Sequence, residues 1–407
     1  MKIAHFSDLH YCPKHLAQVD KCFGYAIDHA IAANAEMAVI SGDSFDSTMG
    51  IHEPAYASYL SRVIQLADRM PVLVLQGTFS HDRPGSLAPL KILKAKYPVL
   101  VADRPGRYLL VDEQKPEWVE VNADTIPRSV QAILGVIPSL NKAEPSVMNC
   151  AGGAAGYVKD LLESWRVSNE AFKAVGVPTI LVMHGSVNGS ITESNHAISS
   201  DHEFSIAALF SAGVQAIMLG HIHVHQVWQD AGNIAAYAGS IARLVHGHHN
   251  PVGYLLWDIV GRRVGFEFVP TPARELMDIF FDGIPNLERL RSLSIPAGAH
   301  IRVRYEVDQD HAHRVDKGAV REILLNAGAG DVKIEGTINA IQSVRSAGIG
   351  KAYGLIEKMS HWADTTGDRD RLPGLLSRLA EIQAHNTDQI VARLLALDDS
   401  SAGRKAA

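Results

Sequence analysis

The chain has 407 residues, enough for two or three domains of ordinary size and a full buried core. Apolar residues make up 47% and charged residues 20%, which argues against disordered, collagen-like and disulfide-scaffold classes. With 38 Lys and Arg against 44 Asp and Glu the net charge is −6, so the global positive field of a stand-alone nucleic-acid binder is absent and any such contact must be local.

In chain order, the first half alternates short runs rich in Val, Ile and Leu with segments of helical period, the pattern of α/β layering. Strand runs are expected over 2–7 (KIAHFS), 37–41 (MAVIS), 72–76 (VLVLQ), 179–183 (TILVM) and 215–219 (QAIML). Between the first two, Val19, Phe23, Ala26, Ile27, Ala30 and Ile31 recur at i, i+3, i+4 spacing, giving a helix over 17–33 and a β–α–β start. Shorter strand-like pieces fill 98–138, and a helix follows over 151–173. One mixed sheet or two packed sheets fit this order. GYLLWDIVGRRVGFEFVP reads as a hairpin around Gly-Arg-Arg, with a boundary at 270–272. Beyond it, MDIFFDG, a short helix over 287–293, HIRVRYEV, a helix over 316–326 and DVKIEGTI suggest a small α+β domain. Segments 343–350 and 363–374 read as linkers. Leu375, Leu376, Leu379 and Ile382, then Ile390, Val391, Leu394 and Leu395, mark two terminal helices with one apolar stripe each.

Three cysteines, Cys12, Cys22 and Cys150, show neither paired nor zinc-ribbon spacing, which suits a reducing cytoplasm. No run approaches 18 apolar residues and Asp8 interrupts the N-terminus early, so neither a membrane span nor an export signal is expected.

Each of the five strand runs ends in polar residues of metal-binding type. They are Asp8-Leu9-His10, Gly42-Asp43-Ser44-Phe45-Asp46, Gly77-Thr78-Phe79-Ser80-His81-Asp82, His184-Gly185 and Gly220-His221-Ile222-His223. In parallel α/β sheets ligands bind beyond the carboxyl ends of the strands, so one site can gather residues this far apart. Carboxylates and imidazoles without thiolates suit Mn²⁺, Fe²⁺ or Zn²⁺, and a carboxylate such as Asp43 can bridge two ions. Two ions about 3.5–4 Å apart clamp the attacking and phosphoryl oxygens of an in-line displacement. Gly42, Gly77, Gly185 and Gly220 would give the backbone unrestricted φ at these turns.

These motifs resemble the calcineurin-like metallophosphoesterases, with their D-x-H, G-D-x-x-D, G-N-H-D, H and G-H-x-H series. Within that family the chain looks like the SbcD-type DNA-repair nuclease subunits, adding Tyr237-Ala238-Gly239-Ser240, a small cap and C-terminal helices. The resemblance implies a four-layer α/β/β/α sandwich over 1–270, an α+β capping domain over 271–346, and a linker with C-terminal helices over 347–407. It implies that Asp8, His10 and His223 hold one Mn²⁺ ion and His184 and His221 a second, with Asp43 joining both. His81 would orient the scissile phosphate or protonate the leaving oxygen, Asp82 would fix its tautomer, and Asp46 would stand behind the ligands.

The departure lies in the third motif, where the usual asparagine is missing. Ser80 or Thr78 supplies a neutral hydroxyl instead, or water fills the position, and a weaker second metal site is expected. The stretch RLVHGHHN is a second departure, with His246, His248 and His249, like His225, read as part of a solvated loop. His5 reads as a hydrogen-bonded structural side chain, and the Gly-rich 150–156 as the start of a helix or a loop. Further implications are a DNA substrate, a homodimer, a cytoplasmic setting without membrane contact, and an SbcC-like coiled-coil ATPase gripped by the C-terminal helices. Rival readings are a phosphatase or phosphodiesterase for small molecules or phosphoproteins, and a non-catalytic scaffold that binds the ATPase.

Overall fold

The computed structural model describes residues 1–112, 115–121, 129–141, 145–192, 203–248, 250–339 and 351–392. The chain forms two compact units, Met1–Tyr305 with Asp316–Gly336, and Glu306–Val315 with Thr337–Ala407.

In the larger unit, β1 (Lys2–Phe6), β2 (Met37–Ile40), β3 (Val72–Leu75) and β4 (Val99–Ala102) pair in parallel, so their carboxyl ends share one edge. A second sheet takes β5 (Gly106–Asp112), β6 (Pro116–Glu120), β7 (Val130–Ile137) and β8 (Thr179–His184). The two-residue strands β9 (Ser186–Val187) and β10 (Glu203–Phe204) pair separately. Strands β11 (Ala216–Gly220), β12 (Gln226–Asp230) and β13 (Asn233–Tyr237) complete the second sheet in the order β12-β13-β11-β8-β7-β5-β6. The predicted hairpin, β14 (Gly253–Val260) and β15 (Arg263–Pro270), joins the first sheet antiparallel to β1, giving β15-β14-β1-β2-β3-β4.

Strand parity explains the layering, because alternate side chains leave opposite faces. Ala4 and Phe6 of β1 pack with Val19, Phe23 and Ile27 of helix Leu16–Ala32 and with Tyr59 and Val63 of helix Pro54–Ala67. Ile3, Val39 and Leu73 point the other way, against Leu134, Val182 and Met218 of the second sheet. The far face of that sheet, with Leu181, Met183 and Ile217, is covered by Val158, Leu162 and Trp165 of helix Gly153–Ala174. These three cores separate four layers, α/β/β/α. Strands buried on both faces read as continuous apolar runs, which is why they stood out in the sequence. There are two packed sheets, not one.

Strands β16 (Leu276–Asp282), β17 (His300–Asp308) and β18 (Asp331–Asn339) form a three-stranded sheet, accompanied by helices Leu287–Arg291 and Lys317–Asn326. The loop before it is not solvated as expected. His248 is buried and His246 Nδ1 lies 3.4 Å from Asp278 Oδ1, while His249 is outside the described residues. His225 is half-buried, donating Nδ1–H to the Tyr237 carbonyl at 2.7 Å and stacked on Phe268. Arg302 forks onto Asp278 at 2.8 and 2.7 Å.

In the smaller unit the expected linker at 363–374 is mostly helix. Helix Leu355–Thr366 runs through Ala363, which is buried, and ends at Gly367 in the left-handed region with φ 79°. Helix Leu372–Ala384 then begins with Pro373 in its first turn, where its missing N–H costs nothing. The expected linker at 343–350, and Leu394 and Leu395 of the last helix, lie outside the described residues. Among the described residues no helix is long and apolar enough to cross a membrane.

Candidate metal centre

The carboxyl ends of β1, β2 and β3 in one sheet and of β8 and β11 in the other deliver the candidate ligands. Backbone bonds from Asp8 N to Gly42 O (3.2 Å), His10 N to Asp43 O (3.0 Å) and Tyr11 N to Ser44 O (2.9 Å) splice the first two turns together. The result is two adjacent groups, Asp8–His10–His223 and Asp43–His184–His221, within each of which the donor atoms lie within 4.8 Å of one another. A third group, His10–Asp46–His81, shares His10 with the first.

The backbone is strained where the ligands sit. Asp8, His10, Asp43 and His221 all have positive φ (49°, 50°, 52° and 103°), a region that costs a non-glycine residue free energy and clusters at functional sites. The glycines serve a different end from the one expected. Gly42 does take positive φ, 106°, but Gly77 and Gly220 are needed for space. A Cβ on Gly77 would lie 2.1 Å from Asp43 N, and one on Gly220 2.3 Å from the Ser41 carbonyl.

Within the first group His10 Nε2 and His223 Nε2 face each other at 2.9 Å, and His223 Nε2 is 3.9 Å from Asp8 Oδ1. The His221 N–H donates to both Asp8 oxygens at 3.1 and 3.2 Å. Burial, reinforced by the neighbouring His223, lowers the His10 pKa to about 3, so the ring is neutral and one of its nitrogens offers a lone pair to a metal. In the second group His184 Nε2 is 3.2 Å from Asp43 Oδ1 and its Nδ1 donates to the Ser41 carbonyl at 2.8 Å. Burial opposes charge on His184, but Asp43, with smaller help from Asp8 and Ser41, raises its pKa to about 9. The same pairing, against burial, holds the Asp43 carboxyl well below the usual carboxylate range. His221 is lowered by burial and then by His184.

The donor set fits divalent cations. It is carboxylate and imidazole throughout, and His10 Nδ1 is buried with no hydrogen-bond partner, while Asp43 favours positive charge on its neighbour His184.

The third motif is arranged differently from expectation. The Thr78 carbonyl accepts from His81 N (2.9 Å) and Asp82 N (2.7 Å), a tight turn that leaves Phe79 and Ser80 exposed. It is Thr78 whose hydroxyl donates to Asp43 Oδ1 at 2.8 Å and lies 3.4 Å from His184 Nε2, whereas Ser80 is exposed on the turn. His81 does, with its ring 4.7 Å from that of His10. Its tautomer is fixed not by Asp82 but by the Asp46 carbonyl, to which Nδ1–H donates at 2.6 Å. Asp82 is fully buried and accepts from Ser44 N (3.0 Å), Phe45 N (3.3 Å) and Gly77 N (2.9 Å), clasping the turns after β2 and β3 together. Burial and the Asp43 charge push its carboxyl up to about 7. Asp46 keeps its side chain half exposed, 4.0 Å from His10 Nδ1.

Two supports escaped sequence reading. Ser7 donates to Asp8 Oδ2, and Ser41 links to Ser7; both close the apolar runs KIAHFS and MAVIS, and a polar residue ending such a run is the signal that would have found them. The Tyr237-Ala238-Gly239-Ser240 stretch braces the centre from behind. Tyr237 OH donates to the Gly185 carbonyl at 2.6 Å, and Ser240 N to the His223 carbonyl at 3.0 Å.

Residues 1–225 match the calcineurin-like phosphoesterase family. No curated protein matches the chain. Among solved structures it is similar to GAP50, the anchor in the inner membrane complex of Plasmodium, at 15% identity over 67% of this chain and 85% of that one, with a TM-score of 0.47. It is also similar to a dimetal phosphatase from Danio rerio, at 9% identity over 65% of this chain and 98% of that one, with a TM-score of 0.39.

Proposed function

Because the chain belongs to the calcineurin-like phosphoesterase family, we propose that this metal-dependent phosphoesterase cleaves phosphodiester bonds of DNA, as the nuclease subunit of a complex with a coiled-coil ATPase. The observation that carries hydrolysis is the pair of Asp–His groups at the joined sheet edges, with His81 against His10. The ligands would be Asp8, His10 and His223 on one side, His184 and His221 on the other, and Asp43 between, with Mn²⁺ the proposed ion. Divalent ions bound there supply Lewis-acid stabilisation of charge on the phosphoryl group. His81 holds Nδ1–H on the Asp46 carbonyl, which can only accept, so the proton it gives to a leaving oxygen comes from Nε2 and the neutral ring stays anchored.

The choice of DNA and of an ATPase partner rests on the parts a stand-alone phosphatase does not need. These are the three-stranded cap sheet and C-terminal helices that expose Leu355, Ile356, Ile382 and Val391. Exposed apolar residues on short helices suit docking in a partner's groove, and a partner that contributes DNA affinity accounts for a net charge of −6 on this chain.

The test is hydrolysis of linear duplex and single-stranded DNA by the purified protein with Mn²⁺. Degradation that is abolished by chelator and by Asp43→Ala, and lowered roughly 10²–10⁴-fold by His81→Ala, supports the reading. Turnover of nucleotides or phosphoproteins with none of DNA would overturn it in favour of a phosphatase. Deleting residues 355–407 should leave hydrolysis intact while abolishing co-purification with the ATPase.

A further inference from the structure

Beneath Asp8 runs a line of fully buried polar groups. Trp257 Nε1 on β14 lies 3.4 Å from His5 Nδ1, His5 Nε2 lies 2.9 Å from Ser41 Oγ, Ser41 Oγ lies 2.8 Å from Ser7 Oγ, and Ser7 Oγ lies 2.5 Å from Asp8 Oδ2. All five side chains belong to residues with no solvent exposure.

The donor inventory gives this line one direction. An indole nitrogen only donates, so His5 Nδ1 must accept and its proton sits on Nε2. His5 then donates to Ser41, Ser41 to Ser7, and Ser7 to a carboxylate that only accepts. Burial, with a small push from His225, lowers the His5 pKa to about 3, which keeps the ring neutral and the direction single-valued. The fold leaves space for this line. Gly220 leaves the room that Ser7 Oγ and Ser41 Oγ occupy, since a Cβ there would lie 2.6 and 2.8 Å from them.

We propose that Trp257, His5, Ser41 and Ser7 form a one-way hydrogen-bond chain that aims the Asp8 carboxylate at the ion shared with His10 and His223, making them positioning residues for that ion. The proposal rests on the metal reading above. Asp8 needs such a guide because its backbone is held at positive φ, and one of its oxygens must stay turned toward His223 while the other is tethered. Partners behind a metal ligand typically tune metal affinity by about 10–100-fold.

The experiment is calorimetric titration of the full chain with Mn²⁺, alongside melting of the metal-free protein. Ser7→Ala and His5→Leu should weaken one ion of two by about 10–100-fold and leave the other unchanged, whereas His5→Gln, which can still accept and donate, restores most of the affinity. Equal weakening of both ions, or two ions bound as in the wild type by variants that melt normally, overturns the proposal while the metal reading stands. A wild-type protein that takes up no Mn²⁺ overturns both.

Discussion

The Gly77→Ala substitution puts the geometry of the centre to a severe test. Its methyl carbon would fall 2.1 Å from Asp43 N, a backbone atom that cannot swing away, and 2.2 Å from Asp43 Oδ1. Restoring ordinary contact at about 3.5 Å requires Asp43 and the turn after β3 to separate by roughly 1.4 Å. That separation also breaks the bonds from Thr78 N (2.6 Å) and Thr78 Oγ1 (2.8 Å) to Asp43. Overpacking of this kind costs about 1–3 kcal/mol of stability. Misplacing a catalytic group by about 1 Å costs on the order of 10²-fold in rate, or roughly 2.7 kcal/mol of transition-state stabilisation. Mn²⁺-dependent hydrolysis of bis-p-nitrophenyl phosphate gives kcat/KM, and a melting curve gives stability. Gly265→Ala is the control, because a Cβ there meets nothing within 4 Å. If Gly77→Ala retained kcat/KM within threefold of wild type, the close approach of the two turns would not be what the site depends on.

The altered third motif predicts two unequal Mn²⁺ affinities by calorimetry. Thr78→Val should weaken the looser ion several-fold and Ser80→Ala should not, the reverse pattern restoring Ser80 as the ligand. Asp82→Asn keeps one acceptor oxygen and turns an NH₂ toward backbone donors, so urea unfolding should show a loss of roughly 2–4 kcal/mol; a loss under 1 kcal/mol would deny it the role of a clasp. His5 contributes a pH dependence whose sign follows from its depressed pKa. The unfolded chain takes up a proton below about 6.5 that the folded one refuses down to about 3, so this contribution to stability is complete above that range, falls by about 1.4 kcal/mol per pH unit within it, and levels off below it. Urea midpoints between pH 4.5 and 7.5 should therefore fall less steeply on acidification in His5→Gln, and parallel curves would refute a neutral buried ring.

What the sequence made legible is what burial writes into it. Strands β1, β2, β3, β8 and β11 are covered on both faces, so each appears as an unbroken apolar run with its ligand directly after it. The number of sheets was not legible, because a period of two says that a face is covered without saying by what. The parallel pairing of β2 with β1 and β3, and the separate pairing of β8 with β7 and β11, assign the runs to different layers. Helix Leu355–Thr366 went unread although Leu355, Met359, Trp362 and Ala363 keep helical spacing, since the Gly- and charge-rich residues at its end look like a linker when no tertiary contact is known.

Confusion between Ser80 and Thr78 has a more particular cause. In G-N-H-D a single residue separates the glycine from the histidine, whereas Thr78, Phe79 and Ser80 stand between Gly77 and His81. Counting back from the histidine selects Ser80, and counting forward from the glycine selects Thr78. The fold decides for the glycine, because Gly77 is where the backbone is pressed against Asp43, and the residue bonded to it inherits that proximity whatever its side chain. The turn closed by the Thr78 carbonyl then lifts the two extra residues clear and returns the chain at His81 and Asp82. An insertion in a loop is absorbed where the backbone is least constrained, so the position next to the tightest contact keeps its place, and here that position carries a hydroxyl in place of an amide.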